Sequence, residues 1–158
     1  MTDELRQDFT RRLSQCNQGG MIVIIYDIYF AYMDDARAGF KNKDTELFKA
    51  SVRKAGQTID ELINALNMSY DIAKQLLPLY KYCKIQLSKA LYENKAERLD
   101  EADQIMKRLY DSFVEAARQD TSEPLMENTQ QVYAGFTYSN DGGSNEYSKG
   151  YENRGYKV

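Results

Sequence analysis

The side chains that could carry chemistry here are carboxylates, thiols and phenols, because the 158 residues include no histidine. Without imidazole the chain lacks the commonest general base and metal ligand, along with the triads in which histidine activates serine or cysteine. A helical di-iron site, which needs Glu-x-x-His on two helices, is excluded on the same ground. Three carboxylate pairs stand close in sequence: Asp34-Asp35, Asp60-Glu61, and Glu101 with Asp103. Adjacent helical positions point in different directions, so the first two pairs cannot converge. All three read as solvated charge on outer faces. Cys16 and Cys83 form no CxxC pair and read as free thiols of a reducing compartment. The segment Asn140-Asp141-Gly142-Gly143-Ser144-Asn145-Glu146 has a loose likeness to a calcium loop but lacks the alternating ligand positions. No GxxxxGK[ST] or GxGxxG loop is present for phosphate. The expectation is a protein that is not an enzyme and needs neither metal nor cofactor.

Charge narrows the partners. Twenty-one basic and 24 acidic residues give a formal net charge of −3. The two signs are interspersed, and no basic stripe offers to neutralise phosphates, so nucleic acid is not expected as a partner. One apolar run, Met21 to Met33, is interrupted by Asp27 and followed by Asp34-Asp35. A membrane span needs about 20 apolar residues, so this run reads as a buried helix and no membrane partner is expected. The start Met1-Thr2-Asp3-Glu4 is acidic with no apolar segment behind it, unlike a secretory signal. A cytoplasmic location follows as the expectation.

The elements that position these side chains are helices. Leu5, Phe9 and Leu13 recur every four residues on a first, short helix from about Asp3 to Gln15. Asn17 can cap a second helix reaching about Lys41, and Asp44 a third, whose apolar face is Leu47, Ser51, Ala55, Ile59, Leu62 and Leu66. Ser69 is expected to cap a fourth helix with the stripe Ile72, Leu76, Leu79, Tyr80, Cys83, Leu87 and Leu91. Pro78 inside it predicts a kink near Lys74 to Pro78. Asn94-Lys95-Ala96-Glu97 has capping-box spacing before a fifth helix that presents Leu99, Ala102, Met106, Leu109, Phe113 and Ala116. Short connections force antiparallel neighbours. The expected fold is therefore all-α, an antiparallel up-down bundle of four long helices plus a short N-terminal one. After Gln119 the composition turns to Gly, Ser, Asn and Tyr, which divides the chain into a helical domain over 1–119 and an expected disordered tail over 120–158.

The second helix is apolar on more than one side. Its core stripe is Ile22, Ile25, Tyr26, Tyr29, Met33, Ala36 and Phe40. Met21, Ile24, Ile28 and Tyr32 form another, roughly 120° around the helix. Either this helix is the enclosed centre of the bundle, or the second stripe lines a groove for a partner helix. Tyr82 and Ile85 fall off the core stripe of the fourth helix and join the candidate partner-binding set, which is Met21, Ile24, Ile28, Tyr32, Tyr82 and Ile85.

Leu66-Asn67-Met68, then Ile72, Leu76 and Leu79-Tyr80-Lys81-Tyr82, resembles the flagellar export chaperone family FliS. That family typically reads Leu-Asp-Met followed by Ile-x-x-x-Leu-x-x-Leu-Tyr-x-Tyr. Ile25-Tyr26-Asp27 matches the family's Leu-Tyr-Asp at the same place in the second helix, and the likeness spans about residues 17–118. The chain departs from the pattern in carrying Asn17-Gln18 in place of the usual Thr-Pro and Ile28 in place of Gly. It also lacks a Tyr-rich extension before the first helix. The resemblance implies a cytosolic chaperone that holds the disordered C-terminal segment of flagellin in an apolar groove and prevents its polymerisation before secretion. The flagellar export gate is a second implied partner. A homo-oligomeric scaffold, with weak homodimers built on the spare apolar face, and a diverged regulator of another flagellar or secretion protein are the alternatives. The tail carries Tyr133, Tyr138, Tyr147, Tyr151 and Tyr156. Either it is a passive extension, or Val132 to Tyr138 folds back into the groove in competition with cargo.

Overall fold

Side-chain oxygens set the start of the first three helices in the computed structural model, which describes residues 1–126. Thr2 accepts from the Leu5 amide and opens α1, Asp3–Gln15. The Asn17 carboxamide accepts from the Gly20 amide at 2.9 Å and opens α2, Gln18–Lys41. Asp44 accepts from Leu47 at 3.0 Å and opens α3, Thr45–Asn64. Each cap satisfies one of the backbone donors that a helix start leaves unpaired. The other two helices, α4 (Asp71–Glu93) and α5 (Glu97–Gln119), begin without a side-chain cap.

Those last two starts correct the sequence reading. Tyr70, not Ser69, occupies the N-cap of α4, and the Ser69 hydroxyl is spent on Asn67 instead. Asn94 is the left-handed C-cap of α4, with φ 51°, and Ala96 precedes α5. Asparagine tolerates that left-handed conformation, so it ends one helix here and does not start the next. α4 runs without a break through Pro78. Pro78 and Lys74 are both exposed, so the Lys74 carbonyl that loses its amide donor can be served by solvent.

Successive long helices pack as antiparallel neighbours, and α5 closes the ring by packing on α2. Tyr26 faces Phe113, Phe30 faces Tyr110 and Arg37 faces Asp100, so α2 and α5 run in opposite directions. α1 stands outside the ring and packs on α2, also antiparallel. Met1 pairs with Asp35 near the far end of the contact, and Arg12 pairs with Asp27 near its base. The core holds Tyr26, Tyr29, Met33, Phe48, Ile59, Tyr80, Leu99 and Met106.

The stripes hold except at their ends and at Leu79 in mid-helix. Ile72 and Leu79 on α4, Leu47 on α3, Leu5 on α1, Phe40 on α2 and Ala116 on α5 are exposed. All but Leu79 lie in the first or last turns of their helices. Phe40 packs on Phe48 beside the tight α2–α3 turn, with ring centroids 5.4 Å apart. Asp103, read above as solvated charge, is buried: it accepts from the Tyr29 hydroxyl at 3.2 Å and from Arg37 at 2.7 Å.

The described chain does not leave the bundle at Gln119. The Asp120 carboxylate accepts from the Gly19 amide at 2.8 Å. The Asn17 side chain donates to the carbonyls of Asp120 and Ser122, and the Leu125 amide donates to the Cys16 carbonyl. A Cβ at Gly19 would meet Asp120 Oδ2 at 2.7 Å and the Ala117 Cα at 3.2 Å, so a side chain there would push the Asp120 carboxylate from its place. The tail beyond 126, including the segment Val132 to Tyr138, lies outside the described residues.

Candidate partner-binding surfaces

The six residues singled out in the sequence are divided between two surfaces. Met21, Ile24, Ile28 and Tyr32 share α2, whereas Tyr82 and Ile85 stand on α4. α2 and α4 are not neighbours around the ring; they meet diagonally through the core, where the Tyr26 and Tyr80 hydroxyls are 2.7 Å apart. One groove lined by all six is therefore not formed.

On α2 the residues differ in exposure. Ile24 is only 4% exposed. It lies beside Cys16 at the end of α1 and Val114 on α5, so it serves as core. Met21, Ile28 and Tyr32 are half-buried, and the Lys54 ammonium of α3 sits 5.5 Å from the Tyr32 ring centroid. The helix is thus enclosed on three sides, by α1, α3 and α5, and keeps part of its second stripe accessible.

A feature absent from the sequence reading adjoins the start of α2. Ile22, Leu66, Tyr70, Ile72 and Phe113 line an apolar cleft of 180 Å³ where the α3–α4 connection passes the head of the bundle. Tyr70 and Ile72 project from its rim and are largely exposed. Their type and spacing had assigned Ile72 to the core. Only the position of the α3–α4 connection shows that nothing among the described residues covers it.

The polar groups beneath these surfaces are held in neutral or paired forms. Burial pushes the Tyr26 and Tyr29 phenols far above their ordinary range, with the neighbouring Tyr80 and Asp103 adding to it. Burial also raises the Cys83 thiol to about 12 and shifts Cys16 upward, so neither is an activated nucleophile at neutral pH. Among the described residues no three His, Cys, Asp or Glu side chains converge as a metal site. No described helix is long and apolar enough to cross a membrane. What the surfaces offer is apolar area and hydrogen bonding.

Residues 1–120 match the family model described as flagellar protein FliS. The chain belongs to the FliS family. A search of curated proteins gave no match. FliS membership makes the chain a flagellar export chaperone, which accords with surfaces that present apolar contact area and no activated group. The matched span takes in all five helices and ends at Asp120, the residue that ties the end of α5 back to α2.

Proposed function

We propose that this FliS protein is a cytoplasmic chaperone that binds the disordered C-terminal segment of flagellin and masks it until export. The observation that carries the reading is the family match over residues 1–120. Met21, Ile28 and Tyr32 on α2 are the proposed contacts, with Ile24 supporting them from the core. The apolar cleft of Ile22, Leu66 and Ile72, on another side of α2, is a second proposed contact area. A flagellin segment with an apolar helical face would fold against this area, losing chain entropy and gaining burial of about 25 cal/mol for each Å² of apolar surface removed from water. Binding of this kind needs no nucleotide or metal, and release requires only a competing site, for which the export gate is the proposed candidate.

The test is calorimetric titration of the full chain with the C-terminal segment of its cognate flagellin. Saturable one-to-one binding with a strongly negative heat-capacity change is expected, and substituting Ile28→Ser with Tyr32→Ser should weaken it. Absence of binding up to about 100 μM, a free energy weaker than about −5.5 kcal/mol, would end the flagellin reading.

A further inference from the structure

The outer face of α4 carries a second pattern that the α2 surface does not use. Pro78, Tyr82, Ile85, Lys89 and Tyr92 follow one another in alternating steps of four and three residues. That is the spacing at which one helix presents a straight seam to another. All five are exposed, with Tyr82 at 42%, Ile85 at 52% and Tyr92 at 94%, so no other part of the described chain covers the seam. It spans about 21 Å at 1.5 Å per residue, enough for about four turns of a partner helix.

The charges beside the seam say what the partner must be. Lys74, Lys81, Lys84 and Lys89 are the basic residues of α4, against only Asp71 and Glu93, while Glu101 of α5, which accepts from the Tyr82 hydroxyl at 2.9 Å, is paired with Arg98 at 3.3 Å. Lys74 is paired with Asp71 and Lys84 with Asp60. Lys81 and Lys89 have no carboxylate partner among the described residues, although the chain as a whole is acidic. A second copy docking through the same face would bring these lysines against each other, which disfavours a two-fold dimer here. A helix with an apolar stripe and flanking Asp or Glu would satisfy both the seam and the free lysines.

We propose that the outer face of α4 is a docking surface for an acidic amphipathic helix of a partner protein, separate from the surface on α2. Pro78, Tyr82, Ile85 and Tyr92 supply affinity, and Lys89 within the seam and Lys81 beside it supply the choice of an acidic helix over a basic one. The inference goes beyond the flagellin reading and does not depend on it.

The experiment uses two fluorescein-labelled synthetic 21-residue helices, a length of about six turns. Both carry Leu at alternating steps of four and three; one is flanked by Glu and the other by Lys. Each is titrated against the full chain by fluorescence anisotropy. The Glu-flanked helix should bind in the micromolar range, weaken with added salt, and lose binding to Ile85→Glu, a change at an exposed position that circular dichroism should show folded. Lys81→Glu with Lys89→Glu should weaken the Glu-flanked helix by about tenfold and confer binding of the Lys-flanked one. Equal binding of the two helices to the unaltered chain would overturn the proposal, as would no saturation by about 100 μM. Undiminished binding to Ile85→Glu would place the contact elsewhere and overturn it too. A reversible dimer in sedimentation, abolished by Ile85→Glu, would make a second copy the occupant and refute the acidic-helix assignment.

Discussion

Replacing Asp103 with alanine should be among the costlier single changes to this fold, and its size can be worked from the contacts. The Asp103 carboxylate joins α5 to α2 by accepting from Tyr29 at 3.2 Å and from Arg37 at 2.7 Å. Tyr29 is fully buried, so its hydroxyl in Asp103→Ala would have no partner and no water, a loss of about 1–3 kcal/mol. Arg37 is more than one-third exposed and keeps Asp100 at 2.8 Å, so the ion-pair contribution is screened and adds no more than about 1 kcal/mol. The sum is about 1–4 kcal/mol. Tyr29→Phe removes the stranded hydroxyl, so in the double variant most of the desolvation loss should disappear, leaving a coupling of about 1–2 kcal/mol. Urea unfolding followed by circular dichroism measures this as a shift in midpoint at constant slope. If Asp103→Ala lay within about 0.5 kcal/mol of the parent, or the two single changes simply added, the network would not hold α2 in place as described.

Two further changes probe the ends of α2. Gly39→Ala should destabilise by about 1–3 kcal/mol, because a Cβ there meets the Phe48 backbone nitrogen at 2.7 Å and the Asp44 carbonyl oxygen at 3.1 Å, atoms that cannot swing aside; a midpoint unchanged in urea would contradict the close approach of α2 and α3. At the other end, hydrogen bonds from Ser122, and then from the Gly19 amide, hold the Asp120 carboxyl below its ordinary pKa. Its contribution is therefore present above the unfolded value of about 3.9 and is lost as the pH falls through the lower folded value. Asp120→Asn should flatten the acid limb of melting temperature against pH below about pH 4, and superimposed limbs would rule the contact out.

Much of the helical layout was legible because its signals are local. The caps at Asn17 and Asp44 and the apolar recurrence on each helix involve residues within four positions of each other, where backbone geometry alone fixes proximity. Asn94 was misread because the same residue type suits the end of one helix and the start of the next, and only the φ of 51° separates the two roles. Asp103 was misread for a different reason. It sits beside Ala102 and three residues before Met106, on the edge of the core stripe, and its burial is tolerated only because Tyr29 and Arg37 arrive from 74 and 66 residues away. The strap of Asp120, Ser122 and Leu125 across the α1–α2 junction had no periodic signal at all, since it is built from two backbone carbonyls, one backbone amide and one carboxylate.

The candidate surfaces show where helical periodicity stops informing. Spacing says that Met21, Ile28 and Tyr32 share one side of a helix, and that Tyr82 and Ile85 lie off the core side of another. It does not say which helices are neighbours. In a closed ring of four, the first and third face each other through the core, as the Tyr26 and Tyr80 hydroxyls do at 2.7 Å. Two helices that turn their inner faces toward each other must turn their outer faces apart. A single straight partner helix therefore cannot cover Ile28 and Ile85 together, and two apolar faces that looked like halves of one groove become separate surfaces, each with its own charge environment and its own test.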